Sequence, residues 1–265
     1  MTVPRVVVVA GLAIAFFLIG CRTSPAPEDP MRLAVAKARA RAKATRSNHE
    51  SFISSLCPYP KEGLLAGYEC SSIARDRERC LEFSLDRERA ALVDQSYGKE
   101  WRDLDGLYED WFRARCGVDQ ALRWVDLATR EWSDRTGQGL RENRCVQRML
   151  EERLFFHASR VGRMDGFWRL VEVRQAAGGR ALASLEQARA ATEKPAVVKA
   201  DLSGSVRPES WRELVYRLDV ALARPPILAQ RHCEMLRLEG DCETKLTLYF
   251  HSIGEDADGL VVCKF

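Results

Sequence analysis

The chain has 265 residues, of which 46% are hydrophobic and 30% charged, the balance of a globular protein. A formal charge of +3 excludes the strongly basic whole-chain field of a nucleic-acid binder. Nine cysteines are many for a reducing compartment and direct attention to export.

Residues 6–20, VVVVAGLAIAFFLIG, carry no charge and follow Arg5. This is the pattern of a secretory signal peptide, shorter than the about 20 apolar residues that cross a bilayer. Leu18-Ile19-Gly20-Cys21 resembles the bacterial lipobox. That resemblance implies cleavage after Gly20, a diacylglyceryl group on the Cys21 thiol and fatty chains such as palmitate. Two or three acyl chains anchor firmly where one does not. Arg22 stands where an Asp would resemble an inner-membrane retention signal. The expected place is therefore outside the cytoplasm, on the periplasmic face of the outer membrane if the host is Gram-negative.

Removing Cys21 leaves eight cysteines: Cys57, Cys70, Cys80, Cys116, Cys145, Cys233, Cys242 and Cys263. An even set in an exported chain reads as up to four disulfides, each worth about 2–4 kcal/mol. Zinc is the competing reading, but no C-x-x-C occurs.

Residues 22–30, RTSPAPEDP, read as a tether. Residues 31–46 then read as an alanine-rich helix carrying Arg32, Lys37, Arg39, Arg41, Lys43 and Arg46. Two readings fit it equally: a helix on anionic headgroups, or a solvated linker. Residues 58–63, PYPKEG, break the chain.

From about 67 to 173 the pattern is helical. Charges of alternating sign between Arg75 and Arg89 suggest a solvated face, with Leu81, Phe83, Leu85, Leu92 and Val93 as buried positions. A second helix is expected from about 100 to 116 with Gly117 as its C-cap, and a third from about 119 to 134 with Asp119 as N-cap. Gly137 and Gly139 turn the chain before a long helix over about 140–174. Cys70 and Cys80 on one helix would stand about 15 Å apart, too far to bridge. Cys116 and Cys145 stand at helix ends that could meet.

Residues 180–192 read as another helix, 193–210 as a linker, and 209–223 and 227–238 as helices broken by Pro225-Pro226. Residues 245–251, KLTLYFH, alternate Leu246, Leu248 and Phe250 like a strand. With the turn at 254–259 and a second strand at 260–265, they predict a small hairpin.

Catalytic motifs are absent from the sequence: no G-x-S-x-G, P-loop, H-E-x-x-H or G-x-G-x-x-G occurs. His49, His157, His232 and His251 lack the spacing of a helical metal pair. His232-Cys233 could suggest base and nucleophile, but a disulfide to Cys233 fits the exported context better. The acidic residues sit among arginines and read as surface ion pairs. Trp101, Tyr108, Trp111 and Phe112 have helical spacing and read as core, with a sugar-stacking surface as the alternative. No catalytic residue, cofactor or metal is expected.

The middle of the chain resembles the LprI-type lysozyme-inhibitor domain, over about residues 65–165. The features that carry the resemblance are Cys70 and Cys80 ten apart, then Tyr108, Trp111, Phe112 and Arg113 leading to Cys116. Gly137-Gln138-Gly139, Cys145 and Arg153 eight residues later complete it. Tyr108 stands where the family usually has Trp, and Arg113 comes one position late. The resemblance implies a helical module that inhibits lysozyme or another muramidase by filling its glycan cleft, including as an immunity protein. Such clefts carry carboxylates, so an Arg, Lys or Tyr donor is expected at the contact.

The fold expected is mainly α, a disulfide-stapled helical domain with a small C-terminal α+β unit. Its parts are a signal peptide at 1–20, a lipid-anchored tether and basic helix at 21–50, the LprI-like domain at 51–175 and a C-terminal segment at 176–265. The function expected is an exported, lipid-anchored binding protein whose partners are the membrane and a muramidase or other envelope protein, not nucleic acid. The alternative is an envelope scaffold or assembly lipoprotein with no enzyme target.

Overall fold

The computed structural model describes residues 30–58, 67–93, 97–132, 138–160, 164–194 and 206–253. Cys21, Cys263, the signal segment and the second expected strand lie outside them. The chain divides into two compact units, Met1–Ala40 and Arg41–Phe265. Of the first, only the opening of one helix is described.

The fold is mainly α and carries disulfides. Among the described residues there are eight helices and one short ribbon. Helix α1 (Pro30–Leu56) precedes α2 (Gly67–Val93) and α3 (Lys99–Trp124). Strands β1 (Val125–Asp126) and β2 (Glu131–Trp132) form the ribbon. Then come α4 (Gln138–Ser159), α5 (Met164–Val173), α6 (Gln175–Glu193), α7 (Pro208–Leu236) and α8 (Cys242–Ser252). α2 packs on α4, α3 packs on α4 and α7, and α8 packs on α6 and α7.

One apolar cluster joins these helices. α3 contributes Trp101, Leu104, Tyr108, Trp111 and Phe112 at spacings of three and four, so all fall on one face. α4 meets them with Met149, Leu150, Leu154 and Phe156, and α8 with Leu246, Tyr249 and Phe250. Aromatic edges lock the seam: the Trp111 and Phe250 rings lie 5.6 Å apart, and Phe156 and Phe167 lie 5.0 Å apart. A smaller cluster of Val118, Val125, Leu185, Leu214 and Leu218 joins the end of α3 to α6 and α7.

Several sequence expectations are corrected. Gly117 does not cap a helix; α3 runs through it to Trp124. The Arg217 side chain of α7 lies where a Cβ at Gly117 would stand, so the position permits a close approach of helices. The helix expected at 119–134 is instead the end of α3 followed by the ribbon. Asp126 stops the helix, because its Oδ1 accepts from the backbone N–H groups of Ala128 at 2.9 Å and Thr129 at 3.2 Å. The long helix expected at 140–174 is two helices, α4 and α5. α5 turns so that Phe167, Leu170 and Val171 are buried.

Phe83 and Val93 are exposed, at 72% and 56%. Phe83 is two residues from both Leu81 and Leu85, which on a helix is the opposite face. Gly178 and Gly179 lie inside α6. Gly178 is required there, because the Leu248 carbonyl of α8 occupies the place of its Cβ. Pro225 and Pro226 do not break α7. Its buried face runs unbroken through Leu214, Leu218, Ala221, Pro225, Leu228, Ala229 and His232, and that packing outweighs the two missing N–H groups. The strand expected at 245–251 is α8. Leu246, Tyr249, Phe250 and Ile253 are buried at i, i+3, i+4 and i+7, a helical face. The C-terminal part is thus helical as far as it is described.

Candidate functional site

Among the described residues, three disulfides tie neighbouring helices. Cys57, just past α1, bonds Cys80 of α2; Cys116 of α3 bonds Cys145 of α4; and Cys233 of α7 bonds Cys242 of α8. Cys70 lies on α2, ten residues from Cys80, which has its partner elsewhere. The His232-Cys233 pair has no free thiol, because Cys233 is bridged.

α4 places Arg148, Glu151, Glu152 and Arg153 in the core; Glu151 reaches Arg77 of α2, Glu152 reaches Tyr249 of α8, Arg153 reaches Asp105 of α3, and Arg148 pairs with the two glutamates of its own helix. This polar centre was not read from the sequence, where the carboxylates were expected at the surface. The signal was there: Asp105 falls between Trp101 and Tyr108 on the apolar face of α3. Glu152 falls between Met149 and Phe156 on that of α4.

Asp105 accepts from four donors. Arg89 Nε reaches Oδ2 at 2.8 Å, Arg153 Nε reaches Oδ1 at 2.5 Å, His157 Nε2 reaches Oδ1 at 3.0 Å, and the Tyr97 hydroxyl also donates. Burial alone would raise this carboxyl, but the Arg153 guanidinium, with the His157 and Arg89 contacts, holds it well below the usual carboxylate range. Arg153 then donates from Nη1 to His232 Nε2 at 2.7 Å, while His232 Nδ1–H donates to the Leu228 carbonyl at 2.6 Å. Both ring nitrogens of His232 are thereby committed in one neutral tautomer. Burial and the adjacent Arg153 push its pKa well below the usual value. The guanidinium carbon of Arg153 lies 4.8 Å from the ring centres of Tyr108 and Phe156.

Glu152 is the second anion. Arg174 Nη2 and the Tyr249 hydroxyl both donate to it at 2.7 Å. Burial opposes its ionisation, yet Arg174, His49 and Arg148 bring its pKa down to about 2. Beside it, Glu151 bonds Arg77 at 2.7 Å and Arg148 at 3.2 Å. His49 and His157 are both lowered to about 4, chiefly by burial, and are neutral at pH 7.

Beside Glu152 and Arg153 is a cavity of about 10 Å³, lined also by Tyr108, Phe167, His232 and Tyr249 among others. That is room for about one water and none for a substrate. The carboxylates are paired with buried cations and the imidazoles are buried, so this centre acts on stability. Arg153, one of the residues that carries the family resemblance, therefore has a structural role. Trp101, Tyr108, Trp111 and Phe112 are buried and do not form a sugar-stacking surface. Among the described residues no group of three or more His, Cys, Asp or Glu side chains could hold a metal ion.

On the outside, the ends of α3 and α7 form a recess of about 200 Å³ lined by Gly117, Gln120, Ala121, Ser210, Glu213, Leu214 and Arg217. Within α7, Arg217 bonds Glu213 at 2.7 Å. Next to it on α7, Tyr216 is 63% exposed, a large aromatic with a free-standing donor group. Arg212, one turn earlier, is exposed and lies 3.7 Å from Glu209. No family model, curated protein or solved structure matches the chain.

Proposed function

We propose that the protein is an exported, lipid-anchored binding protein of the bacterial envelope that inhibits a muramidase. The observation that carries the reading is the set of three helix-to-helix disulfides. Such bonds form and persist in oxidising compartments, in keeping with the lipobox-like segment at Cys21. They also suit an inhibitor physically, because a frame cross-linked across its helices meets its target with little ordering cost.

The chemistry of inhibition follows from the target. A muramidase cleft offers carboxylates flanked by sugar-stacking surfaces. A rigid element with an aromatic donor and nearby guanidinium groups complements it. Tyr216, with Arg212 and Arg217 on α7, is the described surface that fits best. Its hydroxyl donates to a carboxylate, and its ring covers the surface that a sugar would.

The test is lysis. Protein from residue 22 onward is expected to slow muramidase digestion of cell walls, and Tyr216→Ala to weaken that inhibition about 10-fold or more. No effect on any muramidase class, with capture of envelope proteins alone, would replace this reading with that of an assembly lipoprotein.

A further inference from the structure

α1 runs from Pro30 to Leu56 as one helix. Its residues 31–49 include six basic side chains and no acidic one, while the rest of the chain has more acidic than basic residues. Lys37, Arg41 and Lys43 are exposed. From Ala40 to Asn48 most described positions are exposed, whereas His49 and Ile53 are buried, so among the described positions the buried face of the helix begins at His49. Among the described residues no helix is long and apolar enough to cross a membrane.

We propose that this part of α1 is a docking surface for anionic phospholipid, lying on the headgroups of the membrane that holds Cys21. The inference rests on the lipid anchor of the functional reading. Eight residues lie between Cys21 and Pro30, a reach of at most about 30 Å. The basic helix therefore starts close to the anchoring membrane whatever path the tether takes. Exposed cations on a preformed helix then gain contacts with phosphate groups, and alanine between them keeps the backbone helical without opposing charge.

The test uses the chain from residue 22 onward, which lacks the anchor but keeps whole the compact unit beginning at Arg41. It should sediment with vesicles of phosphatidylglycerol in phosphatidylcholine and not with phosphatidylcholine alone, and high salt should release it. The triple variant Lys37→Gln, Arg41→Gln, Lys43→Gln should bind about 100-fold more weakly, with unchanged circular dichroism. Equal binding by the variant, or no preference for the anionic vesicles, would overturn the proposal. Mass spectrometry of Cys21 in the native protein separates the two ideas. A lipidated Cys21 with no vesicle preference defeats the docking surface alone, and an unmodified Cys21 defeats the anchor on which it rests.

Discussion

Asp105 shows what a single buried charge does in this core. It sits on the apolar face of α3 and is held by Arg89, Arg153, His157 and Tyr97. Asp105→Ala would leave Arg153 buried without its counter-ion, and urea unfolding should show a loss of about 3–5 kcal/mol. Breaking the exposed Asp76–Arg79 pair should change stability by less than about 0.5 kcal/mol. The same centre sets a pH dependence. His49 and His157 titrate at about 4 in the folded chain, against about 6.5 when unfolded. Between those values the unfolded state binds more protons, so stability falls as the pH drops from about 6.5 to 4. Asp105 and Glu152, whose pKa values are depressed by their cations, continue the loss below about 4.5. The urea midpoint should therefore fall steadily on acidification from pH 7, and His157→Gln should flatten the upper part of that profile. None of this was legible as a site, because a charged letter on an apolar stripe looks like surface until its partners on other helices are known. The four aromatic residues of α3 were legible, since their spacing alone places them together.

At the scale of the element, helix glycines separate packing from propensity. Gly178 and Gly179 are neighbours in α6, but only at Gly178 would a Cβ meet the Leu248 backbone, while Gly179 faces open space. Gly178→Ala should destabilise by about 1–3 kcal/mol through overpacking, and Gly179→Ala should stabilise by about 0.5–1 kcal/mol through helix propensity. Thermal unfolding of the two variants checks both signs. Helix type was readable over most of the chain because apolar spacing is a local property. Helix ends were not. Gly117, Pro225 and Pro226 all read as helix ends or breaks, yet each lies inside a helix held by partners distant in sequence. α8 read as a strand because Leu246, Leu248 and Phe250 alternate; burial of Tyr249 and Ile253 with Leu246 and Phe250 decides for a helix.

At the scale of the molecule, the covalent ties follow the packing. Cys57–Cys80, Cys116–Cys145 and Cys233–Cys242 close loops of 23, 29 and 9 residues of separation. Loop entropy makes the second bond worth the most, about 3–4 kcal/mol. The double variant Cys116→Ala, Cys145→Ala should lower the urea midpoint by a corresponding amount, and Cys233→Ala, Cys242→Ala by less. The cysteine count foretold an oxidised frame, and the helix ends allowed Cys116 to meet Cys145, but the other pairings needed the fold. On the proposed reading such a frame suits an oxidising compartment, where these bonds form and persist. The measurement that tests this account most directly is mass spectrometry of the native polypeptide under non-reducing conditions. The account predicts a diacylated Cys21 as the first residue, and peptides linked through Cys57–Cys80, Cys116–Cys145 and Cys233–Cys242. An unmodified N-terminus with those six thiols free would contradict it.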